Sequence, residues 1–348
     1  MTESVVNQSE MLCQNCGGQC VFDPAQQDLL CQSCGTLWPL ASDADHEAAQ
    51  EFPFHPDVPQ PEPPRLRGDY IHQCETCGGE VFFTGSALSE RCPYCDGSVV
   101  LKPEGKAYDT MALIPFRIDK SYADQSVTDW IGRRIAAPDD LKDFTANGRV
   151  AGLYAPFWTF DSKEAIEYWA SYTTGSGKKR RRHSVTGHMT VLFDDLLVPA
   201  SPHVTPLIRD GILHDFEPNY LRPYKAGYLA GFAAERHHMT IAKGLRLNAQ
   251  DKDLLIRNKI KQHVGKSGTR VSKYRTDTTG IHYRRILLPV WIMHYQYRGT
   301  PKKVVVSGID GRTFGERPFS LWKLAGYSTL LTGLAMVLGL IWGGSTAP

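Results

Sequence analysis

The spacing of apolar residues changes period several times along the chain, and each change predicts an element. Residues 111–118 are nearly continuously apolar, as in a strand, and Pro115 within them points to a sheet edge. Ser121 is suited to capping a helix that runs to about Ala136, with Val127, Trp130, Ile131 and Ile135 on one face. Pro138, Asp139 and Asp140 open a second short helix, which Asn147 and Gly148 would stop. Alternation with period two then takes over at 166–172 and 185–193, predicting a long hairpin with its tip at 173–183. A long helix is expected from about Ala226 toward His263, with a break at Gly244. Trp291, Met293, Tyr295 and Tyr297 alternate along a further strand, which turns at 299–301 and returns over 302–307. An aliphatic-x-x-Pro-x-Trp motif occurs at 153–158 and again at 286–291, each time after helical sequence and before a hairpin. That repetition predicts two diverged copies of one helix-plus-hairpin unit.

The last apolar stretch has a different character. Residues 324–343 are twenty positions without a charge, and none follows them. About 20 residues of helix cross the roughly 30 Å of a bilayer's hydrocarbon. A buried core helix is the alternative, but charge usually interrupts one of this length. Arg317 and Lys323 precede the stretch, so the positive-inside rule predicts a single-pass protein of the cytoplasmic membrane, with the N-terminus and body in the cytoplasm. Ala335, Gly339 and Gly343 recur every fourth residue, a spacing that would let two such helices pack as a homo-oligomer.

A repeat of cysteines at the N-terminal end adds chemistry. Cys13 and Cys16 are followed after fourteen residues by Cys31 and Cys34; 61 positions on, Cys74, Cys77, Cys92 and Cys95 repeat the frame. Two residues between cysteines let both thiolates of a tight turn face one ion, and two such turns complete a tetrahedron of sulfur around zinc. Gly17, Gly35 and Gly78 follow second cysteines directly and Gly97 comes one later, where a positive φ turns the backbone around the metal. Disulfides would need an oxidising compartment, and the polar residues 1–10 do not read as a secretory leader. A redox pair would be single and set in a βαβ unit. Two structural zinc ions are therefore expected, each closed by four protein ligands and so not catalytic. Cys20, the ninth cysteine, aligns with Val81 of the repeat and reads as a small apolar residue.

Composition is that of an ordinary globular protein, with 42% hydrophobic and 22% charged residues, but the net charge of +2 hides an asymmetry. Residues 1–64 contain ten acids and no Lys or Arg, and residues 1–104 contain sixteen acids and four bases. The remaining 35 bases and 21 acids give the rest of the chain +14. Ribbons this acidic would be repelled by phosphates, so they read as protein-docking modules and nucleic acid as an unlikely partner for them. Between the ribbons, Pro53, Pro56, Pro59, Pro61, Pro63 and Pro64 predict an extended spacer.

Catalytic signatures are lacking. Gly265-Lys266-Ser267 resembles the end of a phosphate loop, but Ile260 stands where its first glycine belongs. His183, His188, His237 and His238 show no ligand spacing, and Asp194 with Asp195 reads as a solvated turn. The run Lys178, Lys179, Arg180, Arg181, Arg182 reads either as a solvated hairpin tip or as a contact for anionic lipid, each base contributing about 1 kcal/mol near a charged leaflet. Nucleic acid is the third reading of that run.

In order, these motifs resemble a bacterial family of membrane-anchored double zinc-ribbon proteins, labelled transcription-factor-B-type or primosomal-helicase-like. The resemblance covers about residues 70–320. It is carried by Cys74-x-x-Cys77-Gly78-Gly79 with Cys92-Pro93-Tyr94-Cys95; by Leu113 to Phe116 and 153–161; by Pro223-Tyr224 with 228–232; and by 287–291 and 308–315. It implies no enzyme activity, and an accessory role at the membrane beside flotillin-like (SPFH-domain) or phage-shock-type proteins. The helicase label conflicts with the missing phosphate loop. The chain is thus expected to be α+β: zinc ribbons at 1–42 and 70–104 joined by an acidic proline-rich linker at 43–69, a mixed helix and antiparallel-hairpin body at 105–318, and an anchor at 319–348. The function expected is that of a non-enzymatic adaptor that recruits a protein partner to the membrane. The alternative is nucleic-acid binding through the basic body.

Overall fold

A computed structural model describes residues 12–40, 50–58, 65–67, 71–83, 92–95, 99–101, 104–106, 110–133, 136–141, 143, 148–213, 216–237 and 239–344 of the 348-residue chain. Near the N-terminus, β1 (Cys20–Asp23), β2 (Asp28–Cys31) and β3 (Leu37–Trp38) form a small antiparallel sheet of their own. The interior of the chain forms one large sheet. β4 (Phe52–Pro53), from the stretch between the cysteine repeats, pairs with its middle, while β5 (Arg65–Arg67) pairs apart from it with β9 (Glu104–Lys106). The second cysteine repeat contributes β6 (Ile71–Cys74), β7 (Glu80–Phe83) and β8 (Val99–Leu101) to one end of the large sheet.

Two strands of unusual length form the spine of that sheet. The first unit runs β10 (Ala112–Leu113), α1 (Lys120–Gly132), β11 (Arg149–Thr174) and β12 (Arg181–Pro199). After α2 (Pro206–Ile208) and β13 (Arg222–Pro223), a second unit repeats the order: β14 (Ala233–Glu235), α3 (Ile241–Val264), β15 (Arg270–Tyr297) and β16 (Thr300–Ser307). β11 and β15 pair antiparallel, and Leu153 opposes Val290 while Pro156 opposes Leu287, so the two Pro-x-Trp motifs lie side by side. The short strands are exchanged. β10 runs parallel to β15 at Ile286 and Leu287, and β14 runs parallel to β11 at Leu153 and Tyr154. His237 ties the motifs together, with its Nε2 3.0 Å from the Phe157 carbonyl and 3.1 Å from that of Ile286. β17 (Thr313–Gly315) pairs with β16, and α4 (Leu321–Gly344) follows.

Around these motifs both faces of the sheet are covered, which is why residues 153–160 read as continuously apolar rather than alternating. On one face Phe116 stacks on Phe232 at 4.2 Å between ring centroids, with Trp291 and Tyr154 at 4.9 and 5.0 Å. At Asp161 the register of β11 slips against both neighbours, and Asp195 (φ +50°) and Gly280 (φ +61°) sit at the same level. Such bulges bend a sheet. Beyond this elbow β12, β11 and β15 continue as a three-stranded arm. α3 covers one face of it through Ile256 and Ile260, packed on Ile166, Tyr168, Ala170, Val191 and Phe193. The other face alternates out to solvent, giving the period-two pattern of 166–172.

Several expectations need correction. The long helix expected from Ala226 begins only at Ile241, because Gly231 (φ +89°) turns the chain before it into the strand β14. Gly244 does not break α3; the missing side chain brings the helix close to Phe160 and Trp158. Asp119, not Ser121, caps α1, accepting from the Tyr122 amide, and α1 ends at Gly132. Of the second short helix, only Leu141 and Asp143 among the described residues are helical. The linker is not merely a spacer: β4 is a strand on β15, and the Phe54 amide donates to the Ile281 carbonyl. The two hairpins are far longer than their alternating segments.

Candidate metal centres

Each cysteine repeat folds into two tight turns whose thiols converge. In the first, Cys13 and Cys34 sulfurs lie 3.6 Å apart and those of Cys16 and Cys31 lie 3.5 Å apart. In the second, Cys74 and Cys95 are 3.4 Å apart, Cys77 and Cys92 3.7 Å. All four sulfurs of each group fall within 4.8 Å of one another. A disulfide needs about 2.05 Å. Zinc–sulfur bonds of about 2.3 Å instead imply a tetrahedron edge near 3.8 Å, which these separations approach. Gly17, Gly35 and Gly78 carry φ of +68°, +73° and +73°, and the amide of each donates to the carbonyl of the first cysteine in its turn. Gly97 lies outside the described residues.

Amide groups point at the sulfurs as they do around a thiolate-bound ion. Gly18 donates to Cys16, and Thr76 and Cys77 donate to Cys74. Four thiols at one point cannot all carry charge, and they divide accordingly. Burial opposes ionisation of Cys13, but the Trp38 indole and the Cys16 and Asn15 amides outweigh it and bring the thiol to about 6. Against the Gly18 amide, hydrogen bonds with Cys34 and Cys31 push Cys16 up to about 12. Burial likewise resists ionisation of Cys74, but the Cys77 and Thr76 amides lower it to about 7, whereas burial drives Cys92 upward. A dication at the centre favours the thiolate at every position at once. The donor set therefore fits zinc in both sites, with no position left for a substrate. Cys20 faces Cys31 across β1 and β2 but belongs to neither group; burial raises its thiol to about 11, so it stays neutral.

The second centre is built into the body. β7 pairs with β14, and Tyr94, between two ligands, donates to the fully buried carboxyl of Glu235. Ser201 donates to the other oxygen at 2.6 Å, and His294 reaches the Pro93 carbonyl at 2.9 Å. Burial pushes Glu235 up to about 8, so its neutral form is favoured in the fold. The stability this contributes is fully present below about pH 4.5 and is lost as pH rises through about 8. The Tm of the zinc-loaded protein, measured relative to its Glu235→Gln variant, should therefore fall between about pH 6 and about pH 9. A constant difference would contradict the assignment. The comparison with the variant cancels the pH dependence of zinc binding itself.

The basic run lies where the first hairpin was expected to turn. Lys179, Arg180, Arg181 and Arg182 are exposed at the end of the arm, and Arg182 donates to Ser171 at 3.0 Å. The backbone of Lys178 belongs to the same turn, and its side chain is outside what the structure describes. The fold brings further exposed bases to this end: Lys259, Lys261, Lys266, Arg270, Lys273 and Arg275. These were missed from sequence because no local run marks them. The signal was negative: 168–193 and 254–276 together hold twelve bases and no acid.

At the elbow, carboxylates of Glu51, Asp161 and Asp194 lie within 4.8 Å of one another. Asp195 is not the solvated turn expected. It pairs with the buried Arg284, and its amide donates to Asp161 at 2.7 Å. Burial, then Asp161, raises Glu51 to about 8. His183 bonds Thr174 at 2.8 Å, His188 lies opposite Glu167 in the register, and His238 lies outside the described residues.

No family model matches the chain, and no solved structure does. The chain is similar to YdjG, an uncharacterized protein of Bacillus subtilis (strain 168). The two are 25% identical over 244 residues, which cover 66% of this chain and 70% of YdjG.

Proposed function

We propose that the protein is an adaptor anchored in the cytoplasmic membrane, whose docked zinc ribbons present a recruiting surface to a protein partner. The observation that carries this reading is α4. It is 24 residues long, contains a 19-residue stretch apolar enough to cross a bilayer, and none of that stretch is buried against the body. Leu321, Trp322, Leu330 and Met336 are all more than 60% exposed, an arrangement that water would penalise and lipid would not. Lys323 in its first turn and Arg317 before it favour a cytoplasmic body. The reading assigns no catalytic step, since closed four-sulfur centres serve structure. By resemblance to membrane-anchored double zinc-ribbon proteins, the partner is an SPFH-domain or phage-shock-type protein.

Fractionation and affinity capture test this together. The full-length protein should stay with membranes through a high-salt wash, and a chain ending at residue 318 should not. Detergent-solubilised full-length protein should bring down an SPFH-domain or phage-shock-type protein from its host. A full-length protein in the soluble fraction, or one that captures no such partner, would end the adaptor reading.

A further inference from the structure

The two metal centres are built on one frame but differ in two respects. In the first centre Cys16 and Cys34 are exposed, whereas Cys77 and Cys95 of the second are half-buried. The first centre also has a fifth sulfur at its side. Cys20 on β1 is 2% exposed, and Val81 occupies the matching position of the second repeat.

Cys20 is held in a defined relation to one ligand. It opposes Cys31 across the ladder between β1 and β2. The directions of nearby amides fix the kind of pair. The Gln32 amide donates to the Gln19 carbonyl, so residues 19 and 32 are hydrogen-bonded partners. The Cys31 amide turns the other way and donates to Thr36, and the Phe22 amide, two positions along from Cys20, donates to Ala230. Hydrogen-bonded and non-hydrogen-bonded pairs alternate along an antiparallel ladder, so Cys20 and Cys31 form a non-hydrogen-bonded pair. Such pairs bring Cα atoms to about 4.5 Å, inside the roughly 4.4–6.8 Å that a disulfide spans. The Cys20 thiol is in hydrogen-bond contact with the sulfurs of Cys31 and Cys13, and Cys31 lies 3.5 Å from the exposed Cys16.

We propose that Cys20 and Cys31 form a reversible disulfide that competes with zinc at the first centre, so that hydroperoxides release this ion and spare the second. Cys16 is the point of entry. Its sulfur attacks hydrogen peroxide: an S–O bond forms, the O–O bond breaks, and the departing oxygen takes a proton from solvent and leaves as water. The Cys31 sulfur then attacks the sulfenic sulfur, which expels its hydroxyl as a second water with another solvent proton and joins Cys16 to Cys31. Cys20 attacks the Cys31 sulfur of that bridge, and its proton passes to Cys16, which leaves as a thiol. Cys20 and Cys31 have lost two electrons, and one peroxide has become two waters. Three of the four sulfurs that closed the site remain. The bridge lies within the hairpin, so the metal is lost without parting β1 from β2. In the second repeat Val81 has no sulfur for the last step.

The test treats zinc-loaded full-length protein in detergent with hydrogen peroxide. Metal analysis should show one of two zinc ions released, and peptide mapping after alkylation should show Cys20 joined to Cys31 with Cys16 free. Dithiothreitol with added zinc should restore both ions. In Cys20→Val, which copies the second repeat, the relay stops one step earlier, so Cys16 should be found joined to Cys31 and closed to alkylation. Cys20 still open to alkylation after the first ion has gone would overturn the proposal. So would loss of both ions at the same rate, or two ions retained at a peroxide dose that oxidises exposed methionines. Should Cys20→Val fail to bind two zinc ions, the map of the unaltered protein decides alone. The site depends on the four-sulfur centres holding zinc and not on the anchor or a partner, so partner capture can fail while this disulfide forms.

Discussion

Replacing Cys92 by Ser should lower the zinc content from about two ions per chain to about one and unfold more than the ribbon it belongs to. Cys92 is 1% exposed and its sulfur lies 3.7 Å from that of Cys77, so the hydroxyl that replaces it leaves an open position in a buried site. Structural zinc in small ribbons contributes apparent binding free energies of about 10–16 kcal/mol near neutral pH, which is folding free energy where the metal organises the chain. In this protein the loss propagates. β7 is the strand that covers β14, and Tyr94 satisfies the buried carboxyl of Glu235. Without the second centre, β14 becomes a sheet edge and Glu235 loses a partner in a place water does not reach. Cys16→Ser should also remove one zinc, but its strands pair only with one another and meet the body through packing such as Phe22 on Tyr228, so no strand of the large sheet loses a paired neighbour. Metal analysis combined with limited proteolysis checks this. Cys92→Ser should open the body to cleavage around residues 233–240, and Cys16→Ser should not. Normal zinc content in Cys92→Ser would show that the thiols are not ligands.

Lys252→Met should destabilise the body by about 3–5 kcal/mol, the usual cost of leaving one member of a buried ion pair unpaired. Lys252 on α3 reaches Glu164 on β11, whose second oxygen accepts from Thr276 and Thr278 of β15. Glu164 is fully buried and the Lys252 side chain is 10% exposed. Burial alone would raise the Glu164 carboxyl; Lys252 and the two threonines override it and hold it below the ordinary range. The cluster is an ion pair between α3 and the arm, set among apolar residues such as Ile256 and Phe193. Replacing both charges, as Lys252→Met with Glu164→Leu, should cost less than the single change, because no bare carboxylate remains. Denaturant unfolding of the three proteins provides the comparison. A double variant no better than Lys252→Met would mean the charge itself is not what is being lost.

The two four-cysteine clusters were legible in the sequence because their information is local. Two residues between cysteines and a glycine after them define a turn wherever the chain goes, and Gly17, Gly35 and Gly78 adopt the φ that spacing requires. The apolar helix at the end was legible for the same reason. The spine was not. Pro156 and Pro289 look like breaks, yet both lie within strands of more than 25 residues, where the motifs face each other and helices or turns cover both sides. Residues 226–240 look helical by their apolar spacing, but turns and a three-residue strand occupy them, since β14 is needed beside β11. The basic end was half legible. Five of its bases are consecutive, while the others come from residues some 80 positions later that meet them only through the pairing of β11 with β15. No local pattern announces a tertiary neighbour.

The exchange of short strands has a consequence for how the molecule is made. Ala112 emerges from the ribosome long before Ile286, the residue it must lie beside, and Leu153 likewise precedes Ala233. Neither half can finish its own sheet, so a nascent chain stopped between them has open edges that only later synthesis can close. Contacts this distant in sequence make for slow folding. Each half is therefore completed only by the other: a gene split between them would yield two fragments, each with an open sheet edge that its counterpart fills.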